Sequence, residues 1–210
     1  MSPAPELMAK TVILAQGDFP RRDGRPWQLL ASAKRVVACD GAAAAYRRRF
    51  GRWPDVIVGD LDSLKSRPKG VEVVHVAEQE TNDLEKAMAL CRARQWRDVV
   101  IVGATGRRED HTLGNVFRAL AAGVPIVTER GVFHPVCGAA SFRTHPDAGV
   151  SVFAPDPATR MTSKGLRWPL AGVRFANLYC ATLNRASGRR VAVTSDRPVS
   201  VFVESRKESC

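Results

Sequence analysis

The chain has 210 residues, 45% of them hydrophobic and 25% charged, with a formal net charge of +11. That balance describes a globular protein and excludes a disordered, collagen-like or membrane-embedded one, because the longest apolar runs are strand-sized and far too short to cross a bilayer. Five dispersed cysteines (Cys39, Cys91, Cys137, Cys180 and Cys210) form no Cys-x-x-Cys pair and read as reduced thiols rather than a disulfide framework or a zinc site.

The first apolar run, residues 11–15, is too brief for a signal-peptide core and runs straight into Gln16-Gly17-Asp18, so a cytoplasmic protein with no membrane segment is expected. Further runs follow at 36–39, 56–58, 71–76, 99–102 and 124–127. Several are continuous rather than alternating, as strands buried on both faces of a parallel sheet should be. Between them, Leu84, Ala87, Met88 and Cys91 keep the i, i+3, i+4, i+7 spacing of a helix, and so do Leu113, Val116, Phe117 and Leu120. Asn82 followed by Glu85 is a capping-box pattern that starts the first of these helices, and Gly123 with Pro125 stops the second.

Beyond about residue 131 the helical period fades. Short β-like segments appear at 150–153, 173–180, 190–194 and 199–204, punctuated by Gly, Pro, Asn and Asp. The expected architecture is therefore α/β: a mostly parallel-sheet, Rossmann-like N-terminal domain over 1–130, and a smaller C-terminal β-sandwich domain over 131–210.

Ligands of open parallel sheets bind outside the carboxyl ends of the strands, so the residues that follow each run are where chemistry is expected. They are acidic: Asp40-Gly41 after one run, Gly59-Asp60-Leu61-Asp62-Ser63 after another, and Asp110 within the stretch 103–111 after a third. Like charges crowded at one edge repel unless a cation sits among them. Asp60 and Asp62 are two apart, and in an extended segment their side chains would project to one side, which suits a hard divalent ion that also holds phosphates. Gly106, Arg107 and Arg108 then offer free backbone and forked cations for a phosphate group. Neither the P-loop pattern nor the dinucleotide G-x-G-x-x-G is present, which argues against a P-loop kinase and a simple dehydrogenase.

The ordered motifs resemble those of the thiamine pyrophosphokinase family. The resemblance rests on Asp40-Gly41-Ala42, the stretches 59–63, 79–87 and 106–115, and more loosely on 165–170 and 181–184. It implies a homodimer with active sites at the subunit interface, acting on ATP and thiamine with magnesium. By motif, Asp60, Asp62 and Asp83 would surround the metal and the phosphates, with Asp40 nearby and Asp110 among the catalytic acids. Gln79, Asn82, Lys86, Gly106, Arg108, His111 and Asn115 would line the nucleotide, while Trp168 and Asn184 would meet thiamine. Arg107 stands where the family commonly has Gly, Asn82 where it has Thr, and Leu183 where it has Ser.

Two other readings compete. A metal-dependent glycosyltransferase could use Asp60 and Asp62 on a nucleotide sugar. A noncatalytic RNA-binding module could use the +11 charge, although the few aromatics do not interleave with the arginines as a stacking surface requires.

Overall fold

A computed structural model describes residues 9–62 and 68–206; Ser63 of the Asp60 motif and Cys210 lie outside them. The chain divides into two compact units, one comprising the described residues up to Arg118 together with Ile126–Glu129, the other Ala119–Pro125 and the residues from Arg130 onward.

In the first unit, strands β1 (Thr11–Leu14), β2 (Arg35–Cys39), β3 (Val56–Gly59), β4 (Glu72–His75), β5 (Val99–Val102) and β6 (Ile126–Val127) pair in parallel, in the order β6-β5-β1-β2-β3-β4. β1 and β3 are buried along their whole length, which is why their sequences are continuously apolar. Each fully buried Val, Ile or Leu in them contributes about 1.5–3 kcal/mol. From β1 the chain winds outward through β2, β3 and β4 on one side and through β5 and β6 on the other. The switch point of the sheet thus lies between β1 and β5, where a crevice opens at the strand ends.

The helices of this unit are α1 (Arg25–Ser32), α2 (Asp40–Phe50), α3 (Asp83–Ala93) and α4 (Glu109–Ala122), the last ending beyond the unit's boundary. The capping box expected at α3 is present in full: Asn82 Oδ1 accepts from Glu85 N–H at 2.9 Å, and Glu85 Oε2 accepts from Asn82 N–H at 3.2 Å. The apolar spacing does not reveal α1 and α2. Ala42, Ala43 and Tyr46 form the buried stripe of α2, and alanine gives little apolar contrast. That helix closes on Gly51, whose left-handed φ of 70° returns its N–H to Arg47 O.

In the second unit, β7 (Gly131–Arg143) and β11 (Arg190–Glu204) form a long antiparallel pair with an irregularity between Ser195 and Val199. One half of β11 also pairs with β9 (Met161–Lys164), and the other with β8 (Gly149–Phe153), which pairs in turn with β10 (Ala181–Arg185). Residues from both groups, including Phe142, Val152, Met161, Phe175, Val193 and Val201, bury one apolar core. The segments 190–194 and 199–204 are thus one strand rather than two, because the irregularity interrupts the alternation without ending the pairing. Residues 173–180 are not a strand, contrary to expectation. Phe175 is buried there by loop packing, and the run Val173-Arg174-Phe175 imitates strand alternation without a partner. Among the described residues no helix is long and apolar enough to cross a membrane.

Candidate functional site

Strands β2 and β3 end side by side. Asp40 follows β2 as the first residue of α2, where a carboxylate favours the helix dipole, and it is only 2% exposed. Asp60 and Asp62 follow β3. One carboxylate oxygen from each of Asp40, Asp60 and Asp62 lies within 4.8 Å of the others. The route to this convergence differs from the extended one expected. Leu61 takes a left-handed φ of 67°, so the segment turns, and Asp62 N–H donates to Asp60 Oδ1 at 3.3 Å. Gln79 Nε2 donates to the other oxygen of Asp60 at 3.2 Å. These bonds, Gln79 first, hold the Asp60 carboxyl below its usual range.

Gly59 makes the crowding possible. A Cβ there would sit 3.0 Å from Asp40 Cβ and 3.0 Å from Asp83 Oδ1. Asp83, first residue of α3, therefore lies against the same strand end. Its carboxyl is pushed up to about 6, first by burial, then by the charge of Asp40, with smaller contributions from Asp60 and Asp62. Lys86 opposes that shift: its Nζ lies 3.8 Å from Asp83 Oδ1, and the side chain is buried. The tight trio is thus Asp40, Asp60 and Asp62, with Asp83 beside it and Lys86 as the adjoining cation.

At the switch point, the loops after β1 and β5 are zipped together. Gly17 N–H donates to Gly103 O at 2.6 Å and Asp18 N–H to Thr105 O at 2.8 Å. A Cβ on Gly17 would come within 2.5 Å of Gly103 O, and one on Gly106 would overlap the Asp18 carboxylate. Both Gly106 (φ 79°) and Arg107 (φ 56°) are left-handed, so the chain doubles back and Arg108 N–H reaches Gly106 O at 2.7 Å. The left-handed Arg107 explains why glycine suits this position better. Asn115 Nδ2 donates to Ala104 O at 2.9 Å and ties the loop to α4.

A cleft of about 340 Å³ opens here. Asn82, Asp83 and Leu84 line one side; Gly106, Arg107, Arg108, His111 and Asn115 line the other; Ala15, Gln16 and Gly17 form part of its wall. Asp110 stands apart from the acidic trio. Both its oxygens are taken by Arg108, Nε to Oδ1 at 3.1 Å and Nη2 to Oδ2 at 2.6 Å, and that fork draws its carboxyl down to about 2. Sequence reasoning missed Gln16 and Gly17, although the rule that selects residues after a buried strand applies equally to the end of β1.

In the second unit, Asn184 is buried and its amide makes three bonds to the backbone. Oδ1 accepts from Trp168 N–H at 3.2 Å and from Arg185 N–H at 2.8 Å, while Nδ2 donates to Trp168 O at 2.7 Å. The Trp168 side that this staple fixes is 54% exposed, so it is not a packing residue between strands.

A family model for the thiamin pyrophosphokinase catalytic domain matches residues 26–127, and one for the thiamin pyrophosphokinase substrate-binding domain matches residues 131–202. Thiamin pyrophosphokinase 1 of Caenorhabditis elegans is 30% identical over 132 residues, 57% of this chain and 54% of that protein. Thiamine pyrophosphokinase 1 of Arabidopsis thaliana is 25% identical over 190 residues, 79% of this chain and 70% of that protein. The chain thus spans about half the length of the nematode relative. The crystal structure of a thiamin pyrophosphokinase family protein from Enterococcus faecalis aligns over 95% of this chain and 100% of its own, with a TM-score of 0.75 at 17% identity. That of yeast thiamin pyrophosphokinase aligns over 97% and 90%, with a TM-score of 0.74 at 15% identity. At such identities the structural likeness speaks for the fold.

Proposed function

The chain belongs to the thiamine pyrophosphokinase family, and from that premise we propose that it transfers a pyrophosphoryl group from ATP to the hydroxyl of thiamine, releasing AMP. The observation that carries this reading is the convergence of Asp40, Asp60 and Asp62 within 4.8 Å, beside Asp83, which itself lines the cleft. Acids so placed would repel a triphosphate unless a cation intervened.

The donor set fits magnesium, which takes carboxylate oxygens together with substrate phosphates. Asp60, Asp62 and Asp83 would hold it, with Asp40 completing the group; the Asp83 carboxyl is raised first by burial and then by the negative charge of Asp40 that such an ion would offset. When bound, the ion neutralises charge on the phosphate oxygens. The remaining work belongs to this chain's side chains. Lys86 and Arg108 supply further positive charge, and the zipped loops of Gly17 and Gly106 offer backbone close to the phosphates. In the reaction the thiamine oxygen bonds to the β-phosphorus, the bond from that phosphorus to the α-phosphate oxygen breaks, and AMP leaves. The hydroxyl proton passes to a carboxylate or to solvent. Asp110, held ionised by Arg108, is poorly suited to that task, which revises its expected catalytic role toward holding Arg108 in place.

We assign residues 1–130 to nucleotide and metal and 131–210 to thiamine, a division supported by the matches over 26–127 and 131–202, with Trp168 as the platform that Asn184 steadies. A cytoplasmic homodimer with interfacial sites completes the proposal. Incubation with ATP, magnesium and thiamine tests it. Thiamine diphosphate and AMP should appear in equal amounts, and Asp60→Ala or Asp62→Ala should abolish both while leaving a folded protein. Full activity in either variant would remove the metal from the mechanism.

A further inference from the structure

The two walls of the nucleotide cleft stand on different helices. Asn82, Asp83 and Leu84 belong to the start of α3, while Arg108 immediately precedes α4 and His111 and Asn115 lie within it. One ion pair joins these helices. Arg118 Nε donates to Glu85 Oε2 at 2.7 Å, and that same oxygen accepts from Asn82 N–H at 3.2 Å. Glu85 therefore does two things at once: it caps α3 and receives the guanidinium of α4.

Helix α4 is shaped to allow this. Gly114 lies one turn before Arg118, and a Cβ at Gly114 would sit 2.5 Å from Arg118 Nη1. The guanidinium lies back over the bare helix surface, with Nη1 above Gly114 and Nε on Glu85. A glycine inside a helix is less favourable than alanine, and the packing of Arg118 gives that cost a purpose.

We propose that Arg118 is a positioning residue that sets the width of the nucleotide cleft, by holding α4 against the capping box of α3 through Glu85. The proposal rests on the reading that this cleft takes ATP. Without the strut, the Asn82-Asp83 wall and the Arg108-His111 wall lose their common reference, and the phosphates are gripped less well by either. A site built from two helices is sensitive to such shifts, because misplacement by an ångström weakens every contact made across it.

The test compares Arg118→Gln, Glu85→Gln and Gly114→Ala with the parent protein, by steady-state kinetics in ATP and by calorimetric binding of magnesium-ATP. Arg118→Gln and Glu85→Gln should each raise KM for ATP roughly three- to tenfold with little change in KM for thiamine. The double variant should be no worse than either single one, since both remove the same strut. Arg118→Gln is the decisive case, and Gly114→Ala is a supporting one. The latter improves helix propensity, so Tm should hold or rise, yet by displacing the guanidinium it should raise KM for ATP in the same way. A folded Arg118→Gln protein of unchanged KM and magnesium-ATP affinity would overturn the inference, as would additive effects in the double variant. Failure of the parent protein itself to bind magnesium-ATP would instead overturn the underlying assignment of the cleft.

Discussion

Lys86 Nζ lies 3.8 Å from Asp83 Oδ1, one helical turn along α3, and its ammonium is buried beside the acidic group. A buried cation persists only where negative charge compensates its desolvation. Here the compensation is shared by Asp83 and the neighbouring trio. Lys86→Met should lower kcat by roughly a hundredfold, the usual scale for losing one placed electrostatic group, with a smaller change in KM for thiamine. Near-normal kcat in a folded Lys86→Met protein would show that the ammonium only balances Asp83.

The raised Asp83 carboxyl has a consequence for stability. Its value is about 6 in the folded protein against an ordinary 3.8. Because the folded value is the higher one, the folded state binds the proton more tightly. Ionisation of Asp83 therefore works against folding as pH rises from about 4 through about 6. In chelator, Tm should fall across that window on this group's account, and the fall should shrink in Asp83→Asn. Added magnesium should also flatten it by favouring the ionised form. Identical pH profiles for the parent and Asp83→Asn would contradict this electrostatic picture.

Gly59→Ala should damage the site more than the fold. The new methyl would press on Asp40 Cβ and Asp83 Oδ1 at 3.0 Å, an overpacking that costs about 1–3 kcal/mol. The acids would be pushed apart, so magnesium should be needed at higher concentration for half-maximal activity. An unchanged magnesium dependence would mean that the neighbours yield without moving their carboxylates.

The parallel sheet was readable because strands buried on both faces must be continuously apolar, and β1, β3 and β5 are. The strand-end rule then located Asp40, Asp60 and Asp110. Chemistry that depends on turns was harder to read. Asp60 and Asp62 converge because Leu61 is left-handed, which no side-chain pattern announces in a leucine. Asp110 looked like one more strand-end acid, yet it faces Arg108, and only the bidentate geometry separates the two roles. Asn184, placed near thiamine by motif, holds the backbone of Trp168 and Arg185 with its amide, a bonding pattern that its place in the sequence does not announce. The loop over 173–180 read as a strand because Phe175 needs burial, and loops bury phenylalanine too.

If Asp110 orients Arg108 rather than moving a proton, its loss should resemble a binding defect. Asp110→Asn should raise KM for ATP several-fold, on the order of a lost charge-assisted hydrogen bond, and leave the acid limb of the kcat profile in place. A kcat loss as deep as that of Asp60→Ala would restore Asp110 to the chemistry.

The central claim is transfer of an intact pyrophosphoryl group at the Asp40, Asp60 and Asp62 cluster. It is tested most directly with ATP labelled at the β-phosphate, given to the protein with magnesium and thiamine. The label should appear in thiamine diphosphate in step with an equal amount of unlabelled AMP. Label retained in ADP, or thiamine left unmodified while ATP is consumed, would contradict it.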